Sequence, residues 1–306
     1  MSFKKVAWVF DAPYFNLKDP NLRIKNLIHT QFNLMGWDSR IVHPNSLHLD
    51  NYDAAIFCSV DEQTFSAIEY LKAKGTKTLF HHMESIFGFP LQKEIFSSVD
   101  GVVCVSANLA YTTETLNKMG HCYHIDDPAD DVFFSMPRPK KHNLNTVVYS
   151  GGNPSLAEMY RPHIENAGWH LKVIGYPNDG RDYFRDSDDY GGNPYWWLNP
   201  YQEAHVALCA HDFNTGVNKS LIKVITSWAN GLIPLAAPIP SYRNAITHGL
   251  NGFIYHNFES ITSNLIRISS LSEAGRLKIL SLGYEKSKEF TSFQIAQKWA
   301  ALIESL

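Results

Sequence analysis

The feature of this sequence that most restricts its fold is an alternation of strand-like and helix-like runs that proceeds, breaks off and starts again. "KKVAWVFD" is an apolar run ending in a polar turn, and "DPNLRIKNLIHTQFNLMGW" carries apolar residues at helical spacing before Gly36, a helix-ending residue. "DSRIVHP" and "YDAAIFCS" read as strands. "DEQTFSAIEYLKAKG" reads as a helix, acidic at its start and basic at its end, as the helix dipole favours. "TKTLFHHMES" and "VDGVVCVS" add two strands. The break is "DDPADDVFFSMPRPKKHNLN", a linker by its prolines and polar residues. The alternation resumes with the strand "TVVYSGG", the helix "NPSLAEMYRPHIENAG" (which Pro162 is expected to kink or split), the strand "WHLKVIGYP", a short helix and strand in "YQEAHVALCAHD", a further helix, the strand "LIPLAAP", "GFIYHN" and terminal helices. This order predicts an α/β fold of two Rossmann-like domains built on mostly parallel sheets. The boundaries fall at 1–139 and 140–290, with a last helix over 291–306. Two such halves facing each other leave a cleft at the carboxyl ends of their strands, where open α/β sheets bind ligands.

Composition narrows the function classes. A net charge of −3 offers no overall basic surface to nucleic acid or anionic lipid. No apolar stretch approaches the roughly 18–20 residues that span a bilayer. The apolar run near the N-terminus is broken by Asp11 and Pro13, so it reads as a strand and not as a signal peptide. Cys58, Cys104, Cys122 and Cys209 form no Cys-x-x-Cys pair, and three lie in apolar runs, as buried reduced thiols do. A reducing, cytoplasmic setting follows, with peripheral membrane contact left open. Metal signals are poor. The histidines show no metal-binding spacing, and Asp186, Asp188 and Asp189 of "RDSDDYGG" lie in a Gly-rich polar loop that reads as solvated.

One stretch stands out chemically: "NTGVNKSLIKVITSWANGLIP", Asn214 to Pro234. Lys219 and Lys223 are four apart and, on a helix, share a face. They fall in its first turns, where a cation opposes the dipole and an anion is favoured. A bound phosphate or diphosphate reverses the sign of that interaction; a solvated basic helix end is the alternative. Thr226, a turn beyond Lys223, adds a hydroxyl. Gly151 and Gly152 end a strand, where absent side chains let backbone N–H groups approach a phosphate; a plain tight turn is the alternative.

The segment "NKSLIKVITSWANGLIPLAAPIPSYRNAITHGLNGF" resembles the donor-binding region of GT-B glycosyltransferases of the family 4 type, through "ANGLIP" and "HGLNGF". Upstream, "VDGVVCVSANLAYTTETLNKMGHCYHIDDPADDVFF" and "TVVYSGG" resemble that family's last N-domain strand, its crossover and its first C-domain strand with glycine loop. The likeness is good from about Val99 to Phe253. Where many members carry a Glu-x7-Glu pair, this chain has Asn218 and Thr226, and "KSLIKVIT" fits a divergent branch with a Lys-Ser-x-x-Lys/Arg-x-x-Thr pattern.

The resemblance implies a retaining, metal-independent hexosyltransferase with no cofactor, moving a sugar from a nucleotide-sugar donor to a glycan, lipid-linked or other hydroxyl acceptor. Catalysis is assigned to His82, Lys219 and Lys223. Donor binding is assigned to Gly151, Gly152, Asn153, Gly175, Asn218, Ser220 and Thr226, and acceptor or cleft contacts to Asp11, Tyr14, His81 and Glu84. The family's basic pair after the glycine loop is missing; the next base is Arg161. It further implies that the last helix packs on the N-terminal domain through Phe293, Ile295, Ala296, Trp299 and Ile303, which follow helical spacing. A catalytically silent sugar- or nucleotide-binding subunit and a sugar-nucleotide epimerase on the same fold remain as alternatives.

Overall fold

A computed structural model describes residues 4–10, 20–83, 91–117, 120–135, 145–151, 153–174, 199–211 and 216–306. The chain divides into two compact units. The first holds residues 1–130, 218–220 and 290–306; the second holds 131–217 and 221–289.

The first unit contains β1 (Lys5–Val9), α1 (Pro20–Leu34), β2 (Asp38–Val42), β3 (Ala54–Phe57), α2 (Glu62–Ala73), β4 (Lys77–His82), α3 (Gln92–Ser98), β5 (Gly101–Cys104), α4 (Ala107–Asn117) and β6 (Cys122–His124). The second contains α5 (Asp131–Ser135), β7 (Thr146–Ser150), α6 (Pro154–Asn166), β8 (His170–Ile174), α7 (Asn199–Gln202), β9 (Val206–Cys209), α8 (Ile222–Ala229), β10 (Ile233–Ala236), α9 (Pro240–Ala245), β11 (Phe253–Ile254), α10 (Phe258–Ser270) and α11 (Glu273–Ser287). A final helix, α12 (Ser292–Ser305), belongs to the first unit.

Among the described residues every strand pairing is parallel. The first sheet runs β2-β1-β3-β4-β5-β6 and the second β8-β7-β9-β10-β11. Both therefore place their second strand outside the first and then reverse direction. Each has a switch point between its first and third strands, where ligands of doubly wound sheets bind at the carboxyl ends.

Burial on both faces explains the apolar strands. In β1, Val6 and Trp8 alternate with Ala7 and Val9, and all four are buried. Trp8 packs on Phe32 of α1 and Trp299 of α12, at 6.0 and 5.4 Å between ring centres. Ala7 and Val9 join Ile68, Leu71, Ile95 and Phe96 of α2 and α3 in a separate core. The face α12 turns inward is Ile295, Ala296, Trp299, Leu302 and Ile303. Phe293, expected on that face, is 43% exposed. It lies two residues before Ile295, about 200° around the helix, which puts it on the opposite side.

In the second unit α6 packs beside α10, and α8 beside α11. Pro162 neither splits nor ends α6, which runs unbroken from Pro154 to Asn166. Trp228 of α8 is anchored by its indole N–H to the Asn251 carbonyl at 2.6 Å, which ties the "HGLNGF" turn to α8.

Candidate functional site

The carboxyl edge of the second sheet gathers the chemistry. Lys223 is the second residue of α8, and its ammonium donates to the carbonyl of Ala210, the residue after β9, at 3.0 Å. The same ammonium lies 4.8 Å from the ring centre of Tyr149, near the end of β7. It therefore sits at the β7/β9 switch point, and cation–π attraction to Tyr149 helps hold it there. Gly151 follows β7. A Cβ added to it would stand 2.7 Å from the Tyr149 hydroxyl and 2.9 Å from the Lys223 ammonium, so glycine is what lets these two groups close over the strand end.

That geometry corrects one expectation. The Gly151 N–H does not face a ligand; it donates to Ile174 O at 3.0 Å and extends the β7–β8 pairing. Asn153 caps α6, its side chain accepting from the Leu156 N–H at 3.1 Å while its carbonyl accepts the Tyr149 hydroxyl at 3.0 Å. Arg161 is engaged by Glu158 at 2.5 and 2.8 Å on the α6 surface. Burial pushes the Tyr149 hydroxyl up to about 12, so it stays a neutral donor.

A second correction concerns the start of α8. The helix begins at Ile222 with Leu221 at its N-cap, and no side chain caps it. Lys219 and Ser220 precede it, after a single 3-10 turn over Gly216–Asn218. Only Lys223 lies in the first turn, so Lys219 and Lys223 do not share a helix face. Ser220 and Thr226 are buried. Asn218, 5% exposed, is held within the first unit by α4: Ser106 Oγ donates to its carbonyl at 2.9 Å, and Asn108 Nδ2 donates to its Oδ1 at 2.5 Å.

His81 and His82 close β4, and both are buried. They point to opposite faces: His81 meets Trp299 edge-on at 5.1 Å, and His82 meets Phe96 edge-on at 5.0 Å. Burial pushes the His82 imidazole down to about 4, so it is neutral at physiological pH. Asp11, Tyr14, Glu84, Gly152 and Gly175 lie outside the described residues, as does the "RDSDDYGG" loop.

Sequence reasoning missed Tyr149 and a pair on the same edge. His211, two residues past β9, has its Nε2 2.8 Å from the hydroxyl of fully buried Tyr242 in α9. The available signal was positional: "VALCAH" puts this histidine just beyond a strand's carboxyl end. Among the described residues no helix is long and apolar enough to cross a membrane.

Neither a protein-family model nor a curated protein matches this sequence. Solved structures do match in fold. A glycosyltransferase from Rickettsia africae ESF-5 superposes with a TM-score of 0.76 at 11% identity, covering 100% of this chain and 99% of that one. The catalytic domain of starch synthase IV from Arabidopsis thaliana, bound to ADP and acarbose, gives 0.71 at 10% identity over 99% of both chains. HepE of Anabaena, in complex with UDP, gives 0.62 at 10% identity, covering 99% and 100%. At such identities the likeness is one of fold: two Rossmann-like units, each a parallel sheet with flanking helices, as the sequence predicted.

Proposed function

We propose that this protein is a glycosyltransferase that moves a sugar from a nucleotide-sugar donor to an acceptor hydroxyl. The observation that carries the reading is the Lys223 ammonium, held at the β7/β9 switch point between Ala210 O and the Tyr149 ring. Breaking the anomeric C–O bond of such a donor leaves a nucleoside diphosphate. A fixed cation beside its developing charge is the kind of preorganised electrostatics that lowers this barrier. Lys219, just before the helix, adds positive charge to the same segment. The fold is shared with proteins seen with ADP and with UDP, so those diphosphates are the first ligands to try.

The family 4 type, retention of configuration and independence from metal are parts of this proposal. So is a role for His82, which as a neutral imidazole takes part through hydrogen bonding and not as an acid. A second reading, a silent nucleotide-binding subunit, is favoured by one observation. Asn218 replaces an acid of the Glu pair, and its side chain is already engaged by Asn108.

Calorimetric titration with ADP and UDP tests the first step. Lys223→Ala is expected to weaken diphosphate binding by about 1.5–3 kcal/mol, the range for a hydrogen bond to a charged group, and to leave adenosine or uridine binding unchanged. Equal diphosphate affinity in wild type and variant overturns the site. Slow release of diphosphate from a panel of nucleotide sugars then separates an enzyme from a silent binder, which binds the diphosphate and releases none.

A further inference from the structure

A polar pair lies on the carboxyl edge of the second sheet, beside the strand end that holds Lys223. His211 leaves β9 directly after Ala210, whose carbonyl accepts from the Lys223 ammonium. Its Nε2 is 2.8 Å from the hydroxyl of Tyr242, the third residue of α9, and all these residues belong to the second unit. The two rings are unequally placed: Tyr242 is fully buried, whereas His211 is half-buried at the strand end. Phenylalanine would fill the Tyr242 position without burying a polar group, so the hydroxyl is explained by the histidine it meets. Burial raises that hydroxyl well above its ordinary range, with Cys209, Tyr149 and Tyr201 adding to the effect, so it keeps its proton. Among the described residues His211 Nε2 is the hydrogen-bond partner this hydroxyl has. If the imidazole donated to the oxygen, the hydroxyl proton would be buried with no acceptor. The hydroxyl therefore donates, Nε2 accepts, and the proton of the neutral imidazole sits on Nδ1. The stem of the histidine is held closely too. A Cβ on Gly216 would stand 2.9 Å from His211 Cβ and 3.0 Å from Ile239 Cγ2.

We propose that His211 is a second ligand-contacting residue of this edge: its Nδ1–H donates to an oxygen of the bound diphosphate, and Tyr242 is the positioning residue that fixes the tautomer and orientation of the ring. The proposal deepens the diphosphate site proposed above and rests on it. A phosphate oxygen is charged and accepts more strongly than a carbonyl or hydroxyl, so the ring can exchange a neutral contact for it. One strand end then serves the ligand twice: Ala210 through the carbonyl that holds Lys223, and His211 through its side chain. A ring locked in one tautomer before the ligand arrives gives up little freedom on binding.

The test is titration of the full chain with ADP, UDP and the bare nucleosides, together with NMR of nitrogen-labelled histidine rings. In the free protein the His211 ring should be protonated at Nδ1 and bare at Nε2, and ADP or UDP should shift its Nδ1 signal. His211→Ala should weaken diphosphate binding roughly 10- to 100-fold, the span of a hydrogen bond to a charged group, with nucleoside binding unaffected. His211→Asn, whose amide N–H can stand near the Nδ1 position, should recover part of the affinity; His211→Gln, whose amide reaches toward the Nε2 position, should not. Tyr242→Phe should weaken binding roughly 2- to 10-fold in wild type and no further in His211→Ala, because the hydroxyl acts through the ring. Melting temperatures that fall in these variants with diphosphate affinity unchanged mark a structural pair and overturn the proposal. So do an Nδ1 signal that neither diphosphate moves and a Tyr242→Phe loss that is undiminished in His211→Ala. Where wild type binds a diphosphate and Lys223→Ala weakens it but His211→Ala does not, only this proposal fails. Where wild type binds neither diphosphate, the site itself fails, and the proposal with it.

Discussion

His82 sits in an apolar niche beside Phe80 and Phe96, and the burial that places it there also sets how it titrates. Its folded value of about 4 lies below the ordinary 6.5. Between those two values the unfolded chain binds a proton that the folded chain refuses, so stability is lost as pH falls through this window and is full above it. At pH 5 the loss from this residue is about 2 kcal/mol, at 1.36 kcal/mol per pKa unit. Urea melts of wild type and His82→Gln at pH 7 and pH 5 should show a steeper acid loss in wild type; parallel losses would remove the claim. His29, also lowered by burial, titrates in both proteins and cancels. That a histidine ended this strand was legible from "TLFHH". Which face it took was not, because β4 continues through both histidines and its two faces are set by α3, the next helix, and α12, at the far end of the sequence. Gly151 shows the same limit: a glycine after a strand announces a close approach, but not that the approaching groups are Lys223 and Tyr149.

Helix α11 contains two glycines that read alike in sequence and differ in their surroundings. Gly275 is in the first turn, and a Cβ there would meet nothing nearer than 3.4 Å. Gly283 faces α8, where a Cβ would press on the Trp228 indole, 2.8 Å from its Nε1. That ring is 1% exposed and tethered to Asn251 O, so it has no room to yield. Gly275→Ala should be neutral or stabilise by up to about 1 kcal/mol, the helix-propensity difference. Gly283→Ala gains the same propensity but overpacks a rigid core, at about 1–3 kcal/mol, for a net loss. Denaturant midpoints decide, and stabilisation by both substitutions would mean that α8 and α11 are not packed as described. Elements of this kind were largely legible: the alternation located most strands and the long helices, since periodicity is a local property. The start of α8 was not. "NKSLIKV" has helical spacing throughout, yet Asn218 is tied to Asn108 more than a hundred residues away, and the helix begins only after that tie.

At the scale of the whole chain, the parallel α/β class follows from alternation, but strand order does not. The same run of strands permits several orders, and the reversal between β1 and β3, repeated between β7 and β9, exists only once the crossovers are in place. That reversal defines the candidate site, so its location depended on information that no local window contains. The chain's end has a similar character. Residues 290–306 belong to the unit that the N-terminus begins, and Trp299, 1% exposed, packs there against Trp8 and His81. The first unit's sheet therefore lacks part of its cover until residues 290–306 have been made. Removing residues 291–306 strips that face of β1 and β4, exposing Trp8 and His81, whereas the core of β7, β9 and β10 loses nothing. Truncating the Trp299 side chain alone to Ala should cost about 3–5 kcal/mol. Deleting the helix should cost more, and only in one unit. Hydrogen exchange of the deletion variant should show protection lost across β1, β3 and β4 and kept across β7, β9 and β10. Loss in both units together would mean that they do not fold as separate bodies, and loss in neither would mean that α12 is dispensable to the sheet it covers.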